Sequence, residues 1–100
     1  MFKHIVLWQL KESANGRNQS ENAHVLKQKF EALMGVVPGL RHIEVGLDIM
    51  GGEDSADLSL YTEFDSRAAF EAYYVHPSHK ALLPFLREAR AERRVIDYEI

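Results

Sequence analysis

Between Phe2 and Lys11 the residues are rich in β-branched and aromatic side chains, which predicts a strand. Alternation sets Phe2, His4, Val6, Trp8 and Leu10 on one face and Lys3, Ile5, Leu7, Gln9 and Lys11 on the other. Both faces are apolar in the middle, so the strand is expected to be covered on both sides. The polar run Glu12–Gln19 holds an Asn15-Gly16 turn signal, and Asn18 followed by Glu21 resembles a capping box. Val25, Leu26, Phe30, Leu33 and Met34 then recur at helical spacing, and Gly35 supplies a stop. This predicts an amphipathic helix of about four turns, with Lys27, Lys29 and Glu31 on a solvated face.

Pro38-Gly39 predicts a turn, and alternation resumes over Leu40–Ile49. Arg41, Ile43, Val45, Leu47 and Ile49 share one face there, opposite the more polar His42, Glu44, Gly46 and Asp48. Met50–Ser55, with Gly51-Gly52, reads as a hairpin loop leading to a third strand at Asp57–Phe64. Asp65 or Ser66 can cap a second helix that buries Ala68, Ala69, Phe70, Ala72 and Tyr73. Ser78 to roughly Arg90 is helical again by pattern, and Pro84 is expected to kink or divide it. Arg94–Ile100 closes the chain as a short strand, with Val95, Asp97 and Glu99 facing away from Ile96 and Tyr98.

The order β-α-β-β-α-β is that of an α+β, ferredoxin-like fold: a four-stranded antiparallel sheet with the helices on one face. All of residues 1–100 are expected to form one domain. The other face of the sheet would be bare, although the first strand is apolar on both sides and the third carries Leu58 and Leu60. Covering a few hundred Å² at about 25 cal/mol per Å² contributes several kcal/mol, comparable with a small domain's whole stability. A second copy, packed sheet to sheet, is the simplest cover, so a homodimer is expected.

Composition narrows the function classes. With 46% apolar and 27% charged residues the chain is that of a folded globular protein. Its 12 basic and 15 acidic residues give a formal charge of −3, which argues against nucleic acid as a partner. The absence of cysteine excludes a thiol nucleophile and a thiolate metal site. The apolar run at the N-terminus is too short for a secretion signal, and no stretch is long enough to span a bilayer, so a cytoplasmic location is expected.

The chemistry concentrates in Tyr73-Tyr74-Val75-His76-Pro77-Ser78-His79. Pro77 ends one helix and can open the next, so phenols and imidazoles are aimed away from a regular packed stripe. Tyr73 and His79 across this junction could form a hydrogen-bonded pair. The imidazole would accept a proton at neutral pH, and the phenol would donate to a developing oxyanion. Trp8 and Tyr61 fall on opposite faces, leaving Trp8, beside His4, as the better candidate for a pocket wall. His4, His76 and His79 could together be read as zinc ligands, but His76-Pro77 is not regular helix and no carboxylate is fixed nearby by pattern. Neither a metal nor another cofactor is therefore expected: Gly51-Gly52 sits between strands rather than before a helix, and so short a chain offers little room for haem. Arg87, Arg90, Arg93 and Arg94, interspersed with Glu88 and Glu92, read as a solvated helix end.

Five segments carry a resemblance to a known family: Lys3-His4-Ile5-Val6-Leu7, Pro38-Gly39-Leu40, Phe64-Asp65-Ser66, the Tyr73–His79 stretch, and Ile96-Asp97-Tyr98. The chain resembles the stress-responsive dimeric α/β-barrel family over nearly its whole length, with the His-Pro-x-His segment the most specific part. The resemblance implies a homodimer whose sheets face each other, with a pocket in each subunit between sheet and helices. Members include proteins without assigned chemistry and olivetolic acid cyclase, a plant polyketide cyclase. The cyclase uses a Tyr and a His at the places matching Tyr73 and His79, which marks these two as catalytic. His4, Val6, Trp8, Leu58, Leu60 and His76 are expected to line the pocket. The cyclase has a further pocket histidine where this chain has Leu58, which changes what the pocket binds. Two functional expectations result. One is a cofactor-independent acid–base enzyme, cyclase- or monooxygenase-like, with a small apolar or polyketide-like ligand. The alternative is a non-catalytic, stress-related structural protein.

Overall fold

Residues 1–100 are described by a computed structural model. The sheet is built from β1 (Phe2–Leu10), β4 (Leu40–Leu47), β5 (Leu58–Phe64) and β6 (Arg90–Glu99), in the spatial order β4-β5-β1-β6 with every neighbour antiparallel. Helices α1 (Gln19–Glu31), α2 (Arg67–Tyr74) and α3 (Pro77–Ala89) cover one face of it. This is the ferredoxin-like arrangement. A two-residue pair, β2 (Ser13–Ala14) with β3 (Arg17–Asn18), precedes α1. Its turn is Asn15-Gly16, both at positive φ (56° and 69°), which matches the right-handed twist of a tight hairpin.

Local signals account for the helix boundaries. Asn18 accepts from the Glu21 amide while Glu21 reaches back to the Asn18 amide, completing the capping box. Ser66 caps α2 through the Ala69 amide, and His76 caps α3 by accepting from the Ser78 amide through Nδ1. Pro77 occupies the first turn of α3, where its missing N–H costs nothing. Pro84 does not divide α3: it lies on the exposed side with Lys80, so the carbonyl it leaves unpaired faces solvent.

One core of 19 buried apolar residues lies between sheet and helices. Register explains which strand residues enter it. Val6 pairs with Leu60, Trp8 with Leu58 and His4 with Thr62, and all of these point under the helices. Leu58 and Leu60 therefore sit on the covered face rather than the bare one, because the even-numbered residues of β1 and β5 share that side. A bulge between Leu40 and His42 takes Arg41 off the Ile43 face, and Ile49 falls beyond the end of β4 at 92% exposure. The last strand starts at Arg90, four residues before the expected Arg94, since pairing to Leu10 extends the ladder through charged residues that periodicity alone does not mark.

Lys27 and Glu31 cover an edge rather than pointing only to solvent. Glu31 accepts from the Val45 amide (3.0 Å) and Lys27 donates to the Val45 carbonyl (2.7 Å), occupying backbone groups of the outer strand β4. The lysine beside it and the Val45 amide hold the Glu31 carboxyl below the usual carboxylate range. On the uncovered face of the sheet, Ile5, Leu7, Tyr61, Ile96 and Tyr98 lie side by side across β5, β1 and β6. Leu7 is 44% and Ile96 58% exposed in the single chain.

Candidate active site

Between the helices and the inner half of the sheet lies a cavity of about 220 Å³. His4, Val6 and Trp8 from β1 and Leu60 from β5 form its floor; Phe30 and Leu86 close it on the helix side. Tyr73 and Tyr74 enter from the end of α2, and His79 from the first turn of α3. The Pro77 junction thus brings its phenols and one imidazole onto the sheet residues it was expected to face. Leu58 and His76 are outside the cavity. Leu58 is buried on β5 beside Trp8 without lining the cavity, and the His76 ring is turned to the backbone it caps.

Tyr73 is fully buried, and its hydroxyl has no hydrogen-bond partner. Its ring packs on the His79 ring with centroids 4.3 Å apart and planes tilted by 46°, so the two meet through ring contact and not through the hydrogen bond expected between them. Burial pushes the Tyr73 hydroxyl well above the ordinary phenol range, which keeps it protonated and a donor at neutral pH. A buried hydroxyl without a partner costs about 1–3 kcal/mol, and such groups in native proteins call for a physical reason.

His79 is oriented by the backbone. Its Nδ1 lies 3.1 Å from the Tyr74 carbonyl, which can only accept, so Nδ1 carries the proton and Nε2 keeps its lone pair. Burial lowers the His79 pKa below its ordinary value; the hydrogen bond to the Tyr74 carbonyl opposes this, and the neighbouring His4 and His76 reinforce it. The ring is therefore a neutral base at pH 7.

His4 has a different support. Its Nδ1 is 2.5 Å from an Asp97 oxygen, across the β1–β6 ladder where the two residues are directly paired. Burial lowers the His4 pKa, and the carboxylate opposes that while Arg93 reinforces it. The His4 ring packs 4.7 Å from Phe70 and 6.5 Å from Tyr73. Trp8, stacked on Phe30, leaves its buried Nε1–H unpaired. No group of three or more His, Asp or Glu side chains stands together in a way that could hold a metal ion.

Sequence reasoning gave no site role to Asp97, Tyr74, Leu83 or three arginines. Arg87, Arg90 and Arg93, expected only as part of a solvated helix end, also line the cavity, while Arg87 stays exposed. They converge because α3 gives way to β6 at Arg90 and Arg93 then points inward opposite Trp8. Asp97 could have been found from antiparallel pairing of the two terminal strands, had their register been known.

Comparisons with known proteins agree with this architecture. Residues 2–100 match the Stress responsive A/B Barrel Domain, and the chain belongs to that family. Among solved structures, it is 34% identical to a dimeric protein of unknown function with a ferredoxin-like fold from Bacteroides fragilis, with a TM-score of 0.87 over 99% of this chain and 95% of that one. A Dabb family protein from Mesorhizobium loti, also ferredoxin-like, is 23% identical, with a TM-score of 0.74 over 99% and 95% of the two chains. The hydroxynitrile lyase of Passiflora edulis shares the fold at 20% identity, with a TM-score of 0.76 over 99% and 92%. No curated protein matches the chain.

Proposed function

We propose that the protein is a homodimer, packed through the uncovered sheet face, whose cavity is a cofactor-independent acid–base site for a small, mainly apolar carbonyl compound. The observation that carries this reading is the unpaired, buried Tyr73 hydroxyl in the same cavity as His79, whose Nε2 lone pair is left free. In the step these groups suit, His79 Nε2 takes a proton from a carbon next to the substrate carbonyl. The C–H electron pair becomes the C=C bond of an enolate, and the carbonyl π pair moves to oxygen. That oxygen accepts a hydrogen bond from Tyr73 Oη, and the proton on Nε2 is later returned to carbon or to a newly formed alkoxide. The fold also carries a hydroxynitrile lyase and an antibiotic biosynthesis monooxygenase, so this architecture houses enzymes. That is analogy, and the proposal rests on the side chains.

Deuterium incorporation into the methyl group of acetophenone in D2O, followed by proton NMR, tests the reading. The protein should accelerate exchange over buffer, His79→Ala should lower the rate about 100-fold or more, and Tyr73→Phe should lower it with no fall in Tm. A purely structural barrel predicts the reverse: a fall in Tm for both variants and no acceleration by any of the proteins.

A further inference from the structure

Three arginines surround the cavity mouth, and none is committed to the protein itself. Arg87 comes from the last turn of α3, Arg90 caps that helix through its backbone, and Arg93 stands on β6 opposite Trp8. The chain's ion pairs engage Lys3, His4, Lys27, Arg41, His42 and Arg67, leaving these three guanidiniums without a carboxylate. The next carboxylate on the inward side of β6, Asp97, is held by His4. That side of β6 is not covered by a helix: Val95, which pairs with the buried Val6, is 44% exposed. The cavity therefore opens past Arg93 to solvent, on a chain whose formal charge is −3.

Converging like charges repel one another, and a guanidinium offers paired N–H donors in a planar fork that fits an oxyanion. Trp8 and Tyr73, which also line the cavity, each carry a buried donor without a partner, Nε1 and Oη. The cavity is thus cationic along the side of Arg87, Arg90 and Arg93 and apolar along its floor through Val6 and Leu60.

We infer that the compound handled here carries an oxyanion, a carboxylate or a phosphate, that docks on Arg87, Arg90 and Arg93 while its apolar, carbonyl-bearing end reaches Trp8, Tyr73 and His79. The inference rests on the acid–base reading of the cavity and adds the class of substrate. It makes the arginines binding residues and gives them no part in the proton transfer.

Three probes of the same shape separate the possibilities: 4-acetylbenzoate, 4-acetylphenyl phosphate and the neutral 4-acetylbenzamide. The chain has one tryptophan, so occupancy can be read from the single indole N–H cross-peak of labelled protein. One or both anions should bind at least about tenfold more tightly than the amide, about 1.4 kcal/mol, with added salt narrowing the gap. The tighter of the two anions identifies the natural group as carboxylate or phosphate. Arg90→Gln with Arg93→Gln should abolish the preference, while Arg94→Gln, which removes a charge from the opposite face of β6, should keep it. Equal binding of anions and amide, persistence of the preference without the arginines, or no binding of either anion would overturn the inference. Loss of acetophenone exchange in His79→Ala, measured separately, reports on the acid–base reading and is independent of these outcomes.

Discussion

His4 and Asp97 are 93 residues apart in sequence, yet the imidazole Nδ1 and a carboxylate oxygen meet at 2.5 Å. The pairing of β1 with β6 sets them opposite each other, so the dyad is a product of strand register. Burial acts against a charge on the ring and Asp97 acts for it. Replacing Asp97 by Asn removes the favourable charge and leaves burial and Arg93 in place. The His4 midpoint, followed by NMR titration of its ring protons, should then move lower still. An unchanged or raised midpoint would mean that Asp97 does not govern the ring.

Acid should destabilise the fold through its buried imidazoles. His4 and His79 both have folded pKa values below the reference of 6.5. The unfolded chain therefore binds protons first as pH falls, and stability declines from about pH 6.5 down through the folded values. Above the unfolded value the contribution is fully present. Thermal melts should show Tm falling as pH drops below about 6.5, and His4→Gln with His79→Gln should flatten that decline. Glu31 and Glu63, held below their ordinary carboxylate values, lose their contribution only in more acidic solution. A Tm that is flat from neutral pH until the carboxylates titrate would contradict the assignment.

Gly39 is fixed by two constraints at once. Its φ is 81°, and a Cβ built there would lie 2.6 Å from the Cβ of Ala69 on α2. Its carbonyl also accepts from the Asp65 amide, tying the turn to the start of that helix. Gly39→Ala should combine backbone strain with overpacking, a loss of about 2–4 kcal/mol that lowers Tm by about 10 °C or more. Gly35→Ala, with nothing within 4 Å, should pay for φ alone and fall much less. Equal losses at the two glycines would remove the Ala69 contact from the account.

How much of this was legible in the chain differs by element. Period-two alternation identified β1 and β5 well because each buries one full face, and the capping residues Asn18 and Ser66 marked the helix starts. The start of β6 escaped because Arg90, Arg93 and Arg94 obey no hydrophobic period; only pairing with β1 makes them strand. Of the candidate site, Tyr73 and His79 stood out in the sequence because Pro77 interrupts a helical pattern, and both line the cavity. Asp97 and the arginine mouth depend on register and on the α3–β6 corner. Those are long-range relations that local sequence does not encode.

Assembly is tested on the uncovered sheet face. Ile96 pairs with Ile5 there, and both look away from the helices. Ile96→Glu puts a carboxylate where a partner's sheet would lie and should convert a dimer to monomers in sedimentation velocity, with a Tm that no longer depends on protein concentration. A wild-type monomer at micromolar concentration, or a variant that remains dimeric, would place the interface elsewhere or remove it.

In the proposed function a neutral His79, held by the Tyr74 carbonyl, is the base of the site. The most direct test is the pH dependence of acetophenone deuterium exchange by the wild-type protein, measured against His79→Ala from about pH 4.5 to 8. The rate should rise with pH through one midpoint below 6.5, the reference value for the free imidazole, and then level off. A rate that matches His79→Ala at every pH would contradict the claim.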